Sequence, residues 1–337
     1  MERKQTLKVV ADDKIPFLKG RLEKVAEVIY AAPDQFTPAL VKDADILLIR
    51  TRTKCDEALL KGSAVKLIAT ATIGTDHIDL DWCRENGIAV ENAAGCNAPG
   101  VAQYVWSSLI RNGFDPSVHT LGVVGCGNVG SIVADWGRKL GCRMMVCDPP
   151  RKKMGYQDHE YLPLEEILRE ADAVTLHTPL TRCGADPTFH LVGDEEFSRM
   201  REGAILINAA RGEVVDNKAW KSYLKEGRGV AVIDTWEWEP ELDRELLDLA
   251  EIATPHIAGY SLEGKQRATR MALEAIERNF HVELDKSGLE GNYHAPEKIT
   301  AERICGSYNP YDDTLMLKSD PSGFEKLRGS YNYRPEP

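Results

Sequence analysis

Three residues in the second half of the sequence, Arg211, Glu239 and His256, each lie just beyond an apolar run that reads as a β-strand. A guanidinium holds a carboxylate through two parallel hydrogen bonds and so orients the carbon beside it. An imidazole, with a reference pKa near ~6.5, takes a proton from a hydroxyl at neutral pH. A carboxylate bonded to the other ring nitrogen fixes the tautomer and stabilises the imidazolium that forms. Together these types suit oxidation of a 2-hydroxy acid, with Arg211 on the carboxylate and His256 as the base. Glu239 is the expected partner of the imidazole and Glu237 its neighbouring competitor. Singly, a post-strand arginine is as well explained by a surface ion pair, and a lone histidine by a loop position. The grouping in Asn208-Ala209-Ala210-Arg211-Gly212, Asp234-Thr235-Trp236-Glu237-Trp238-Glu239-Pro240 and Thr254-Pro255-His256-Ile257-Ala258-Gly259-Tyr260 is what reads as a reaction site.

Such a reaction needs a hydride acceptor, and the sequence carries a place for one. His119 to Val124 reads as a strand running into Gly125-Cys126-Gly127-Asn128-Val129-Gly130, with a helical stretch from Ser131 to Leu140 after it. In strand, G-x-G-x-x-G, helix, the glycines permit a tight turn and close approach of a pyrophosphate, and the helix N-terminus offers free N–H groups. The next strand ends at Asp148, eighteen residues beyond Gly130. A carboxylate there accepts from the adenosine ribose and repels the extra phosphate of NADP, so NAD is the expected cofactor.

These motifs require parallel strands to position them. Up to about residue 91, strands at Leu7 to Ala11, Ile46 to Arg50, Leu67 to Thr70 and Ile88 to Glu91 alternate with helical patterns. A second series follows at His119 to Gly125, Arg143 to Asp148, Val174 to His177, Ala204 to Asn208 and Val230 to Asp234. The expectation is α/β, two doubly wound parallel sheets in tandem. Ala98 to Asn112 reads as a connecting helix, and Ser261 to Leu284 as a helix capped by Ser261 that returns the chain to the first unit. From Asp285 the composition shifts to Gly, Asn, Tyr and Pro, in a tail too short for a core of its own.

Apolar residues at 43% and charged residues at 28% fit a folded globular chain. A net charge of -11, from 42 Lys plus Arg against 53 Asp plus Glu, argues against nucleic acid as a partner. No apolar run is long enough for a membrane span, and the charged start lacks a leader's apolar core, so a cytoplasmic protein is expected. Eight singly scattered cysteines suit neither a disulfide framework nor a metal site, and no metal is expected.

The fingerprint followed in order by the Arg, Glu and His motifs resembles the D-isomer-specific 2-hydroxyacid dehydrogenases, over about residues 5 to 285. The resemblance implies a Rossmann NAD domain (97–257) inserted in a flavodoxin-like substrate domain (1–96 and 258–285), with the active site in the cleft, plus a short C-terminal dimerisation segment (286–337). Further stretches are Arg50-Thr51-Arg52-Thr53-Lys54, Gly95-Cys96-Asn97-Ala98, Cys147-Asp148-Pro149-Pro150, His177-Thr178-Pro179-Leu180, the His256 loop, and Phe324-Glu325-Lys326-Leu327-Arg328 in the tail. They narrow the resemblance to members that oxidise 4-phospho-D-erythronate to 2-oxo-3-hydroxy-4-phosphobutanoate on the way to pyridoxal phosphate. That resemblance implies NAD contacts at Gly125, Gly127, Asn128, Val129, Gly130, Asp148, Thr178, Asp234 and Gly259. It implies substrate contacts at Thr51, Thr72 and Tyr260, with Thr51 standing where Ser is expected. Arg50 and Arg52 are the cations that could hold a phosphate. The tail is shorter than the family's extra C-terminal domain, and a homodimer is expected. The alternatives are another phosphorylated D-2-hydroxy acid, such as 3-phosphoglycerate, or a non-catalytic NAD-sensing protein of corepressor type.

Overall fold

The computed structural model describes residues 6–337; the start at residues 1–5, part of the stretch read for a leader, lies outside the described residues. The chain forms two compact units, one of residues 1–97 and 262–294, the other of residues 98–261 and 295–337.

The first unit holds β1 (Leu7–Asp12), β2 (Ala26–Ala31), β3 (Ile46–Ile49), β4 (Leu67–Thr70) and β5 (Ala89–Asn92) in the order β2-β1-β3-β4-β5, every pair parallel. This is the flavodoxin-like order. Every residue of β3 and β4 is buried, as expected of strands covered on both faces. Alternate side chains enter opposite layers: Val9, Ala11, Ile46, Leu48, Leu67 and Ala69 one, Val10, Leu47, Ile49 and Ile68 the other. Against the first layer packs the helix Leu262–Phe280, through Ala268, Ala272, Leu273 and Ile276. It stops short of the expected Leu284 because His281 takes a left-handed φ of 54°. Ser261, the residue before this helix, donates its hydroxyl to Glu336.

The second unit holds β6 (Thr120–Val124), β7 (Arg143–Cys147), β8 (Ala173–Leu176), β9 (Ala204–Asn208), β10 (Gly229–Ile233) and β11 (Ile252–Ala253), all parallel in the order β11-β10-β9-β8-β6-β7. A bridge from Tyr161 to Val146 adds one residue on the outer side of β7. With that remnant at the third position, the six-strand Rossmann order is complete and β11 extends it.

The tail, read as a segment from residue 286, is divided between the two units. Its first part clusters with the first unit and residues 295–337 with the second. Three short helices, Ala301–Ser307, Pro310–Ser319 and Phe324–Gly329, carry it. The physical reason lies in Leu317 and Phe324, which are fully buried in the second unit's core beside Val124, Leu206 and Ile233. A tail too short to bury its own apolar residues uses a core that already exists. Among the described residues no helix is long and apolar enough to cross a membrane.

Candidate active site

In the second unit every assigned residue but Gly259 and Tyr260 lies at or just past the C-terminal end of a strand, where open parallel sheets bind ligands. β6 runs into Gly125, whose φ of 87° suits glycine, and a Cβ there would stand 2.8 Å from the His177 carbonyl. A Cβ on Gly130 would fall 2.0 Å from the Gly125 oxygen. These two glycines are required by the protein's own packing. Gly127 differs: a Cβ there would meet nothing within 4 Å. It opens the helix Asn128–Lys139, which has no side-chain cap, so Asn128 and Val129 sit on the uncapped first turn. Nearby, the Thr178 hydroxyl oxygen is buried without a hydrogen-bond partner. Open space at the second glycine, uncapped donors and an orphaned hydroxyl fit a dinucleotide pyrophosphate. Asp148 closes the turn, its Oδ2 accepting from Cys126 N at 2.8 Å and its Oδ1 from Arg151 N at 3.0 Å.

Asp234 is wholly buried, and the structure gives its carboxylate an internal task. Oδ1 accepts from Thr254 Oγ1 at 2.7 Å and Ile257 N at 2.8 Å, and Oδ2 accepts from Ala258 N at 3.0 Å. The assignment to the cofactor had no signal for this, since a strand-end aspartate looks the same in sequence whether it faces solvent or a loop.

Beyond β9, Asn208 ties down the loop that carries Arg211. Its Nδ2 donates to the Arg211 carbonyl at 2.9 Å and its Oδ1 accepts from Ala210 N at 3.1 Å. The Arg211 guanidinium donates to the Ala210 carbonyl at 2.8 Å. Gly212 then packs against the backbone of the next loop so tightly that a Cβ would lie 2.0 Å from the carbonyl carbon of Trp236. That loop carries Glu239, whose Oε1 accepts from Trp236 N at 2.8 Å and whose Oε2 meets His256 Nδ1 at 2.8 Å. Burial pushes the Glu239 carboxyl up, but the imidazole charge, its hydrogen bond and the Trp236 N–H outweigh burial and hold the group below its ordinary value. An ionised carboxylate only accepts, so Nδ1 donates and Nε2 is left for a second partner. The His256 side chain is about one-third exposed, and the residue takes a φ of 55°.

The competitor Glu237 is engaged elsewhere: its Oε1 meets His190 Nε2 at 2.9 Å, while His190 Nδ1 lies 3.4 Å from Asp216. This second imidazole, between two carboxylates and beside the Arg211 loop, escaped the sequence reading because no strand end precedes it.

In the first unit, the sheet's direction of winding reverses between β1 and β3, and both end there. Thr53 N donates to the Arg50 carbonyl, so the chain turns just after β3. Arg50, however, is committed to a two-point pair with the buried Asp12, Nε to Oδ2 at 2.9 Å and Nη2 to Oδ1 at 3.0 Å. Thr51 and Arg52 are exposed on the turn, and Thr72 shares a 2.6 Å hydrogen bond with Thr70.

Residues 99–258 match the family model described as the D-isomer specific 2-hydroxyacid dehydrogenase NAD binding domain. The erythronate-4-phosphate dehydrogenase of Bacteroides fragilis is 46% identical over 98% of this chain and 97% of its own length. That of Escherichia coli O157:H7 is 40% identical, over 98% and 92%. D-lactate dehydrogenase from Aquifex aeolicus, solved with NAD and lactic acid, superposes with a TM-score of 0.64 over 81% of this chain and 95% of its own at 24% identity, a likeness of fold. The chain belongs to the D-isomer-specific 2-hydroxyacid dehydrogenases, NAD-binding enzymes, and within them to the erythronate-4-phosphate dehydrogenases.

Proposed function

We propose that this chain oxidises 4-phospho-D-erythronate to 2-oxo-3-hydroxy-4-phosphobutanoate with NAD, a step on the way to pyridoxal phosphate. The observation that carries the chemistry is the His256–Glu239 pair, built on the same unit as the dinucleotide turn. NAD, when bound, accepts the hydride that leaves carbon 2. His256 Nε2 takes the hydroxyl proton as the carbonyl forms, and Glu239 bears the imidazolium charge that results. Arg211 holds the carboxylate and so fixes the carbon beside it. The cofactor is assigned Gly125, Gly127, Asn128, Val129, Gly130, Asp148, Thr178, Asp234 and Gly259. The substrate is assigned Thr51, Arg52, Thr72 and Tyr260, with Arg50 supporting the turn from its pair with Asp12. The substrate's identity is supported by the relatives' shared name over nearly their full length. Eight free thiols are in keeping with a reducing cytoplasm, and a homodimer completes the reading.

NADH formation measured against a panel of phosphorylated and unphosphorylated 2-hydroxy acids tests it. Turnover of 4-phosphoerythronate with kcat/KM well above that of 3-phosphoglycerate and erythronate is expected. Preference for 3-phosphoglycerate, or binding of NAD without turnover of any acid, would overturn it.

A further inference from the structure

The last residues of the chain return to the loop that carries His256. Arg334 is buried, and each donor of its guanidinium has an acceptor within the second unit. Nε donates to Gln103 Oε1 at 2.8 Å. Nη1 donates to the carbonyls of Ile257 at 3.0 Å and Tyr260 at 3.4 Å and to the Tyr331 hydroxyl at 3.2 Å. Nη2 donates to the carbonyls of Gly100, at 3.1 Å, and Ala258. The buried charge is compensated nearby. The guanidinium lies 4.0 Å from the centre of the Tyr308 ring, and the hydroxyls of Tyr308 and Tyr331 both donate to Asp313. Two further contacts fasten the same segment: Gln103 Nε2 donates to the Pro335 carbonyl at 2.8 Å, and Ser261 Oγ donates to Glu336 at 2.6 Å.

The His256 loop is thereby gripped from two directions. Asp234 takes the N–H groups of Ile257 and Ala258, and Arg334 takes the carbonyls of the same two residues and of Tyr260. His256 itself stands at a positive φ, a conformation that a residue with a side chain keeps only when its surroundings enforce it. We propose that Arg334 is a positioning residue for the dehydrogenase reaction: from the C-terminal segment, it clamps the loop carbonyls that follow His256 and so holds the imidazole in line with Glu239. The proposal rests on the reading of His256 as the proton acceptor. Only a planar fork of donors spans three carbonyls; a lysine supplies charge without that span.

Full-length Arg334→Lys and Arg334→Ala variants test this, with His256→Ala beside them. The measurements are kcat, KM, the pH–rate profile, NADH binding stoichiometry and rescue of Arg334→Ala by millimolar guanidinium. In Arg334→Lys, kcat should fall at least tenfold while NADH binds at wild-type stoichiometry, and the acidic limb of the profile should move because the His256–Glu239 contact is loosened. Guanidinium should restore a measurable part of the Arg334→Ala activity. Should Arg334→Ala fail to fold, Arg334→Lys alone decides. Wild-type kcat in Arg334→Lys overturns the proposal. So does a loss of kcat matched by an equal loss of NADH sites, which is the signature of unfolded protein. Retained turnover in His256→Ala would instead overturn the reading beneath it, so the two failures are told apart.

Discussion

At the scale of single residues, the chemistry depends on which carboxylate meets the imidazole. Glu237 and Glu239 are two positions apart in sequence, and the structure gives each a different histidine. Replacing Glu239 with Gln removes the anion that favours the imidazolium, so the acidic limb of the kcat/KM profile should move to lower pH by about one unit. A limb that stays in place or moves upward would show that another group carries the charge. His256→Ala should lower kcat by about 10²-fold or more while NAD still binds. Asp148→Ser, by removing a carboxylate from the end of β7, should lower the ratio of kcat/KM for NAD to that for NADP; an unchanged ratio would place the discrimination elsewhere. Arg50 shows what the sequence could not express. Its cationic neighbours suggest a phosphate, yet its two-point partner Asp12 lies thirty-eight residues earlier, and an ion pair at that separation leaves no local pattern. Because the Asp12 side chain is wholly buried and the Arg50 side chain about a quarter exposed, Arg50→Ala should cost about 2–3 kcal/mol in urea unfolding. Arg52→Ala, on the exposed turn, should instead raise KM for the phosphorylated acid with little change in the unfolding midpoint.

Among elements, those legible in the sequence were the buried ones. β4 and β9 lie where the β-branched runs placed them, and the helix Ala98–Arg111 ends one residue from its expected limit. β2 was missed, and the strand read before His256, which is β11, carried no bounds, for opposite reasons. β2 is an edge strand whose inner residues are exposed or only partly buried, so its apolar signal is diluted by Glu27 and Tyr30. β11 has two residues, too few for any periodicity, although it delivers the chain to His256. The fingerprint was readable as a pattern, but the differing tasks of its glycines were not. Gly127→Ala adds a methyl group into open space at the helix N-cap, so the unfolding free energy should fall by only about 1 kcal/mol while the Kd for NAD rises about tenfold. Gly130→Ala drives a Cβ into the Gly125 carbonyl, so stability and binding should fall together. Equal stability losses in both variants would mean that the second glycine serves packing rather than the cofactor.

For the whole molecule, the proposed homodimer requires a contact surface. Aromatic residues of the tail are engaged internally: Tyr308 and Phe324 are buried in their own unit, and Tyr331 and Tyr333 lie edge-on to Tyr260. Deleting the tail would therefore remove core residues and the Arg334 clamp as well as any interface, and a change in mass would not identify the cause. A narrower change avoids this. On the helix Pro310–Ser319 the inward residues Asp313, Thr314 and Leu317 are buried, whereas Leu315 is 70% exposed and Met316 46%. Adjacent large apolar side chains on a helix whose other side is already packed form a patch that a partner would cover. Each copy carries a net charge of -11, so self-association works against like-charge repulsion and needs an uncharged contact of this kind. Replacing Leu315 and Met316 together with Glu leaves the core residues in place and puts two more negative charges on each face. If the tail mediates the dimer, light scattering should show a shift from dimeric to monomeric mass at unchanged thermal stability of the monomer fold. A variant that keeps its dimeric mass would exclude this face and move the interface to another surface of the molecule.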